Sequence, residues 1–425
     1  MTPRKIAVIG AGISGMGAAE RLAGRHHVTL FEAEPRLGGH ARTVMAGKRG
    51  DQPVDTGFIV FNYATYPNLT AMFERLGVPV VPSNMSFGAS FRDGAFEYGL
   101  QGARSYFAQP ARALDPRHLL MLRDIFRFNA GALAASEEAG LSIGGLIRKM
   151  RLGRWFRDYY LAPFSGAIWS TPVERILDFP AQALVQFFKN HGLLGYDEQH
   201  QWFTVEGGSR AYVARLEASM RRAGVAFRLG APVAGILRRA DAVEVRAEGG
   251  EWERFDEVIL AAHSDDSLRM LSDADETERA DLGAIAYQPN DITLHADASL
   301  MPRRRAVWSS WNYTEARVKR AGQIDLTYWM NSLQPIPESD PHFVTLNTTR
   351  PIREELIYDQ VTLRHPVYDL AAMAAQDRVR AGNGRRRTWF CGAWLRHGFH
   401  EDGLWSGLEV ADAILARDTR SVAAE

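Results

Sequence analysis

The chain opens with Ile6-Ala-Val-Ile9, a short apolar run of the kind carried by a strand buried on both faces. A glycine turn, Gly10 to Gly15, follows it, and then Met16 to Ala23, whose small residues Gly17, Ala18 and Ala19 predict a helix lying close to a sheet. Val28 to Phe31 is a second apolar run and ends at Glu32, so the segment reads as a βαβ unit with an acid at the tip of its second strand. From about residue 100 to 200 the pattern turns helical. Pro116 to Ala130 places Leu119, Met121, Leu122, Ile125 and Phe126 on one side and Arg117, Arg123, Asp124 and Arg127 on the other, with Leu120 the exception. Strand patterns return at Ala226–Leu229, Val233–Leu237, Val243–Arg246 and Val258–Leu260, then at Ile292–His295 and Ile324–Trp329. Thr388 to Ala393 reads as a strand entering a glycine turn, and Gly403 to Ala416 as a closing helix.

Gly10, Gly12 and Gly15 make GxGxxG between a strand and a helix, with Glu32 about twenty residues on. Each glycine has its own reason: a tight turn, close approach of backbone to a pyrophosphate, and close packing of helix on strand. The helix start supplies free N–H groups and a positive dipole end for phosphates. Glu32 is placed to accept from ribose hydroxyls and to repel a 2′-phosphate, which argues against NADP. The predicted fold is α/β: a two-domain protein with a discontinuous Rossmann-like dinucleotide domain from 1–80, 203–268 and 385–425. An α+β substrate domain with a helical insertion takes 81–202 and 269–384.

Composition narrows the remaining chemistry. With 425 residues, 46% of them hydrophobic, the chain can bury a full core. Fifty basic residues balance fifty acidic ones, so no global field gathers nucleic acid. The single cysteine, Cys391, excludes disulfides within the chain and CxxC redox chemistry. Its place on a strand reads as a small buried thiol. His397, His400 and Glu401 lack a matched ligand set, so no metal is expected. The start of the chain shows no signal-peptide apolar region and no stretch long enough to span a bilayer, so the expected place is the cytoplasm.

Glu32-Ala-Glu-Pro-Arg-Leu-Gly-Gly-His-Ala-Arg-Thr43 resembles the extended signature of the flavin-containing amine oxidase and phytoene desaturase superfamily. The likeness continues at Asp55-Thr-Gly-Phe-Ile59, Val205-Glu-Gly-Gly-Ser-Arg210, Gly230-Ala-Pro-Val233 and Phe390 to Gly407. It implies noncovalent FAD held by Gly10, Gly12, Ser14, Gly15, Glu32, Ala33, Gly39, His40, Ala41, Arg42, Gly57, Phe58, Val233, Gly392, Ala393, Asp402, Gly403 and Leu404. In that reading the Gly403 and Leu404 amides face the pyrimidine edge of the flavin.

Ala284 to Pro302, Trp308 to Tyr313 and Gly398-Phe-His-Glu-Asp-Gly403 resemble a narrower bacterial group of flavoproteins. Its members are associated with cyclopropane-fatty-acyl-phospholipid synthases, and relatives in furan-fatty-acid formation act as acyl-chain desaturases. The resemblance implies a fatty-acyl or phospholipid substrate, a lipid methyltransferase as partner, and desaturation in modified fatty acid biosynthesis. The chain departs from amine oxidases at two points. None of its lysines (Lys5, Lys48, Lys149, Lys189 and Lys319) falls between Asn290 and Ser299, where a lysine near the flavin is expected, and Phe399 replaces a cage tyrosine. Trp394, Phe399, Trp308 and Trp311 are the expected lining of a hydrophobic tunnel, with His295, His397 and Tyr313 as candidate proton acceptors. Amine oxidation and a non-catalytic flavoprotein role stay open as alternatives. Between residues 100 and 170 cations outnumber acids around Trp155, Phe156, Tyr159 and Tyr160, which predicts peripheral docking at the inner membrane.

Overall fold

β1 (Lys5–Ile9) is apolar from Ile6 onward because it lies in the middle of a five-stranded parallel sheet. In the computed structural model, residues 2–138, 140–169, 176–190, 192–195, 200–315 and 325–423 are described. β1 pairs on one side with β2 (His27–Phe31), Val8 opposite Leu30, and on the other with Glu257–Leu260, Val8 opposite Ile259. Ala226–Arg228 and Thr388–Phe390 form the two edges. Three distant stretches of chain therefore build one sheet.

Between β1 and β2 runs α1 (Ile13–Leu22), its buried side made of Met16, Ala18, Ala19 and Leu22. It packs closely on the closing helix His400–Ala423. A Cβ added at Gly407 would lie 2.1 Å from the Ser14 carbonyl oxygen, and one at Gly17 would lie 2.5 Å from Leu404 Cδ1. Small residues on both helices make that approach possible.

The second large sheet is mixed and seven-stranded. Its order is Ile357–Val367, Ala286–His295, Phe343–Leu346, Leu326–Trp329, Trp311–Thr314, Phe87–Phe91, Phe96–Gly99. Only the Trp311–Thr314 and Phe87–Phe91 neighbours run parallel. Helices Pro116–Ala135, Ile143–Lys149, Ala162–Trp169 and Ala181–Asn190 share one apolar cluster with this sheet. A π-helical turn, Arg157–Leu161, precedes Ala162 and carries Tyr160; such widened turns recur at functional sites.

The Pro116–Ala135 helix differs from its sequence reading. It buries Met121, Ile125 and Phe128 but leaves Leu119, Leu120 and Phe126 exposed. Two apolar stripes run along this helix, and periodicity alone did not say which one meets the body. Phe128 decides it by packing on Phe156 and Phe188, ring centroids 5.4 and 6.0 Å away. Asp124 turns inward, where it accepts the Gly153 N–H at 2.7 Å and Arg123 at 2.8 Å, so its burial leaves no lone charge. The aromatics expected at the membrane also turn inward. Phe156 and Tyr160 are buried, while Trp155 and Tyr159 pack on Phe96 at 5.2 and 5.4 Å. No helix among the described residues is long and apolar enough to cross a membrane.

Candidate active site

The three glycines of the turn after β1 do different things. Gly10 has φ +105°, and a Cβ there would lie 2.9 Å from the Ala261 carbonyl oxygen. A Cβ on Gly15 would lie 1.9 Å from the Gly10 carbonyl oxygen. Both are required by the fold itself. Gly12 is not: a Cβ there meets nothing within 4 Å, because it faces a cavity. No side chain caps α1, so the first-turn amides that a helix cannot satisfy within itself are left for a ligand. Glu32 accepts the Ala11 N–H at 2.6 Å and the Glu34 N–H at 2.9 Å, which fixes its carboxylate on the cavity wall beside Ala33.

The neighbouring loops are tied together by one buried carboxylate. Asp55 accepts from the Ser209 N–H at 2.9 Å, the Ser209 hydroxyl at 2.8 Å, the Thr43 hydroxyl at 2.6 Å and the Gln334 amide at 3.1 Å. Burial pushes its carboxyl up to about 6, against the pull of the Thr43 and Ser209 hydrogen bonds. Gly208 must be a glycine at this junction: its φ is +82°, and a Cβ would lie 2.6 Å from Thr43 Cγ2. Gly57 likewise sits on the His40 carbonyl, which accepts the Phe58 N–H at 2.9 Å.

One cavity of about 1140 Å³ runs from this cradle into the helical part of the protein. Ordinary ligand pockets span roughly 300–1,000 Å³, so the space admits a ligand as large as a dinucleotide. Its cradle end holds the charged lining residues Glu32, Glu248, Asp266, Arg269 and Arg364. Its far end is an apolar chamber walled by Phe87, Tyr160, Phe164, Phe187, Leu193 and Trp311. Phe399 lines the same cavity, stacked on Phe187 at 4.8 Å.

Five histidines line the cavity: His40, His263, His365, His397 and His400. His40 lies 5.8 Å from both His263 and His365 by ring centroid, and His400 stacks on Phe58 at 3.9 Å. Burial pulls His263, His365 and His400 down to about 3 and lowers His40 as well, so these four imidazoles are neutral at pH 7. His400 Nε2 meets the Tyr212 hydroxyl at 2.6 Å, and His365 Nδ1 meets the Asn290 amide at 3.2 Å. His263 also approaches Asp265 and Asp266, but both carboxylates pair with Arg364, which supplies the positive charge there.

Open amides at a helix start, an unobstructed Gly12 and neutral donors along the cavity fit a dinucleotide whose far end reaches the apolar chamber. Residues 13–282 match the family model for flavin containing amine oxidoreductases. The chain belongs to that family. Its cofactor is FAD, and the mixed α/β fold is that of the family's flavoproteins. A stretch of 79 residues is 43% identical to the carotenoid phi-ring synthase of Chlorobaculum tepidum, covering 18% of this chain and 12% of the synthase. The chain thus spans only a small part of that curated relative. Among solved structures, the CLA-producing fatty acid isomerase from P. acnes superposes with TM-score 0.66 at 17% identity, covering 96% of this chain and 98% of that one. Cyclohexylamine oxidase from Brevibacterium oxydans IH-35A gives 0.67 at 14% identity, covering 98% and 99%.

The residues read from sequence divide into two groups. Gly10, Gly12, Ser14, Glu32, Ala33, Gly39, His40, Gly57, Phe58, Val233, Gly392 and Ala393 line the cavity, as do Trp311, Trp394, His397 and Phe399. Gly15, Ala41, Arg42, Asp402, Gly403 and Leu404 do not. Arg42 forms a two-pronged ion pair with Asp359 at 2.6 and 3.1 Å. The Gly403 amide already donates to the Phe399 carbonyl at 3.1 Å, and a Cβ there would lie 2.9 Å from Ile13, so its glycine serves helix packing. Leu404 points at Gly17. Asp402 is buried and accepts the Phe399 N–H at 3.0 Å, which fixes the turn carrying His397 to Phe399.

Three expected chamber residues lie elsewhere. His295 is fully buried in the seven-stranded sheet; its Nδ1 accepts the Asp297 N–H at 3.0 Å and its Nε2 meets the Thr345 hydroxyl at 2.7 Å. Both nitrogens are engaged, and burial pulls the ring down to about 4. The Tyr313 hydroxyl donates to Glu315 at 3.1 Å. Trp308 donates its indole N–H to the Pro302 carbonyl at 2.7 Å and lies under the Arg305 guanidinium. Neither reaches the cavity. No described lysine lines it, and Lys319 lies outside the described residues.

Proposed function

We propose that this chain is an FAD-dependent oxidoreductase that desaturates a fatty-acyl chain, a methylated unsaturated acyl group of a phospholipid, in modified fatty acid biosynthesis. The observation that carries the reading is the chamber: its walls are mostly aromatic and aliphatic, with Asn84, Ser86 and Gln101 as uncharged polar exceptions, and the charged lining residues lie at the cradle end. A hydrocarbon gains about 0.8 kcal/mol for each methylene moved from water to such walls. An ammonium group entering the same space would lose its hydration without a carboxylate to replace it. The P. acnes fold relative is itself described as a fatty acid isomerase.

Bound FAD supplies a hydride acceptor. The chain's part is to hold the reacting carbon beside it and keep water out. Gly12 and the start of α1 would hold the diphosphate and Glu32 the ribose, while Phe399 with Phe187 would direct the acyl chain inward. A carbon next to an existing double bond is the favoured site of oxidation, because the developing positive charge is delocalised. Of the three proton acceptors read from sequence, His397 alone lines the cavity, and burial keeps its imidazole neutral. It is the group proposed to take the neighbouring proton.

The test is product analysis by mass spectrometry. Incubation of the holoenzyme with methylated unsaturated phospholipid should give a product two hydrogens lighter, and His397→Gln should slow its formation about a hundredfold. Unchanged lipid together with peroxide and aldehyde from amine substrates would replace this reading with amine oxidation.

A further inference from the structure

Of the nine large apolar side chains exposed among the described residues, Leu114, Leu119, Leu120, Phe126 and Leu133 all fall between residues 114 and 133. That concentration is not the scatter expected of a monomer's surface. Leu114 is 87% exposed, and Leu119 and Leu120 are 43% and 46% exposed. The charges around them are sorted by sign. Arg117, Arg123 and Arg127 keep 61%, 56% and 45% of their side chains in solvent, while their partners Asp115 and Asp124 keep 11% and 2%. Guanidiniums face outward and carboxylates inward, on a chain whose total charge is zero.

We infer that the outer face of the Pro116–Ala135 helix, with Leu114 before it, docks on an anionic lipid bilayer. Leucines set among outward arginines match the boundary between acyl chains and acidic headgroups. A second copy of the chain would fit this face poorly, because a two-fold contact would press the three arginines against their own counterparts. The inner face of the same helix lies two side chains from the cavity. Phe128 packs on Phe188, and Phe188 packs at 5.4 Å on Phe164, which lines the apolar chamber. Docking would therefore set the chamber beside the source of an apolar substrate. The inference rests on the exposed surface and stands whichever substrate the chamber takes.

Vesicle flotation of the FAD-loaded full chain tests it. The protein should float with vesicles of phosphatidylglycerol and phosphatidylcholine at low salt, stay behind with phosphatidylcholine alone, and detach as salt rises. Leu119→Glu with Leu120→Glu should weaken binding about a hundredfold, tenfold for each leucine withdrawn from the bilayer. Arg117→Gln with Arg123→Gln should reduce binding to anionic vesicles. Flavin content and melting temperature, measured on the same samples, should not change. Failure of the wild-type chain to float with anionic vesicles at low salt would overturn the inference. So would flotation that ignores the leucine substitutions, or a doubled mass in light scattering that the same substitutions abolish, which would assign the face to a second copy.

Discussion

Gly12→Ala and Gly15→Ala separate cofactor binding from folding within one six-residue turn. At Gly15 the new methyl would lie 1.9 Å from the Gly10 carbonyl oxygen and 3.1 Å from Ala261 Cβ. Backbone cannot rotate away as a side chain can, so α1 must shift, at a cost of about 1–3 kcal/mol or more. At Gly12 the backbone is φ −70°, ψ 178°, ordinary for alanine, and the methyl meets nothing within 4 Å. The apoprotein should keep its stability there, or gain about 0.4–1 kcal/mol from the stiffer unfolded chain. FAD binding should fall instead, because the methyl stands where the diphosphate approaches the open amides of α1. Losing two hydrogen bonds to a charged group, about 1.5–3 kcal/mol each, weakens affinity about a hundredfold or more. The assay is thermal melting of stripped apoprotein beside FAD titration followed by flavin fluorescence. If Gly12→Ala bound FAD within about threefold of wild type, the cradle assignment would fail. A Gly15→Ala apoprotein that melted like wild type would contradict the packing argument.

Three further outcomes follow from burial and charge. Acid precipitation should release all of the flavin as FAD; pigment left on the denatured chain would show a covalent bond. Cys391, fully buried with its thiol pushed up to about 12, should resist alkylation in the folded protein and react once it is denatured. His263, His365 and His400 are depressed from 6.5 to about 3, so the unfolded chain binds protons there that the folded chain does not. Apoprotein stability should be full above pH 6.5 and fall as pH drops toward 3, by at most about 1.4 kcal/mol per pH unit for each histidine. Denaturant titrations between pH 7 and 4 check this, and a flat profile would contradict the neutral cluster.

β1, α1 and β2 were legible because each carries its structural demand locally: a continuous apolar run, a glycine turn and small helix residues. The cradle side of the cavity followed from the same short motifs. His263 and His365 were not legible. One follows the Glu257–Leu260 strand and the other lies in the long Ile357–Val367 strand, so only the tertiary fold brings them to His40. At Gly403 the sequence does not carry the packing demand that the fold shows, a contact with Ile13 and Ser14 of α1 that leaves no room for a Cβ. On the Pro116–Ala135 helix, two apolar stripes gave one periodic signal, and the neighbours of Phe128 chose between them.

The central claim, that the apolar chamber delivers an acyl chain to the cofactor, is tested most directly by anaerobic rapid mixing. FAD-loaded protein is mixed with methylated unsaturated phospholipid, with its saturated counterpart, or with a small amine, while flavin absorbance is followed. The account predicts bleaching with the unsaturated lipid, little with the saturated chain and none with the amine. Bleaching by the amine alone would contradict it.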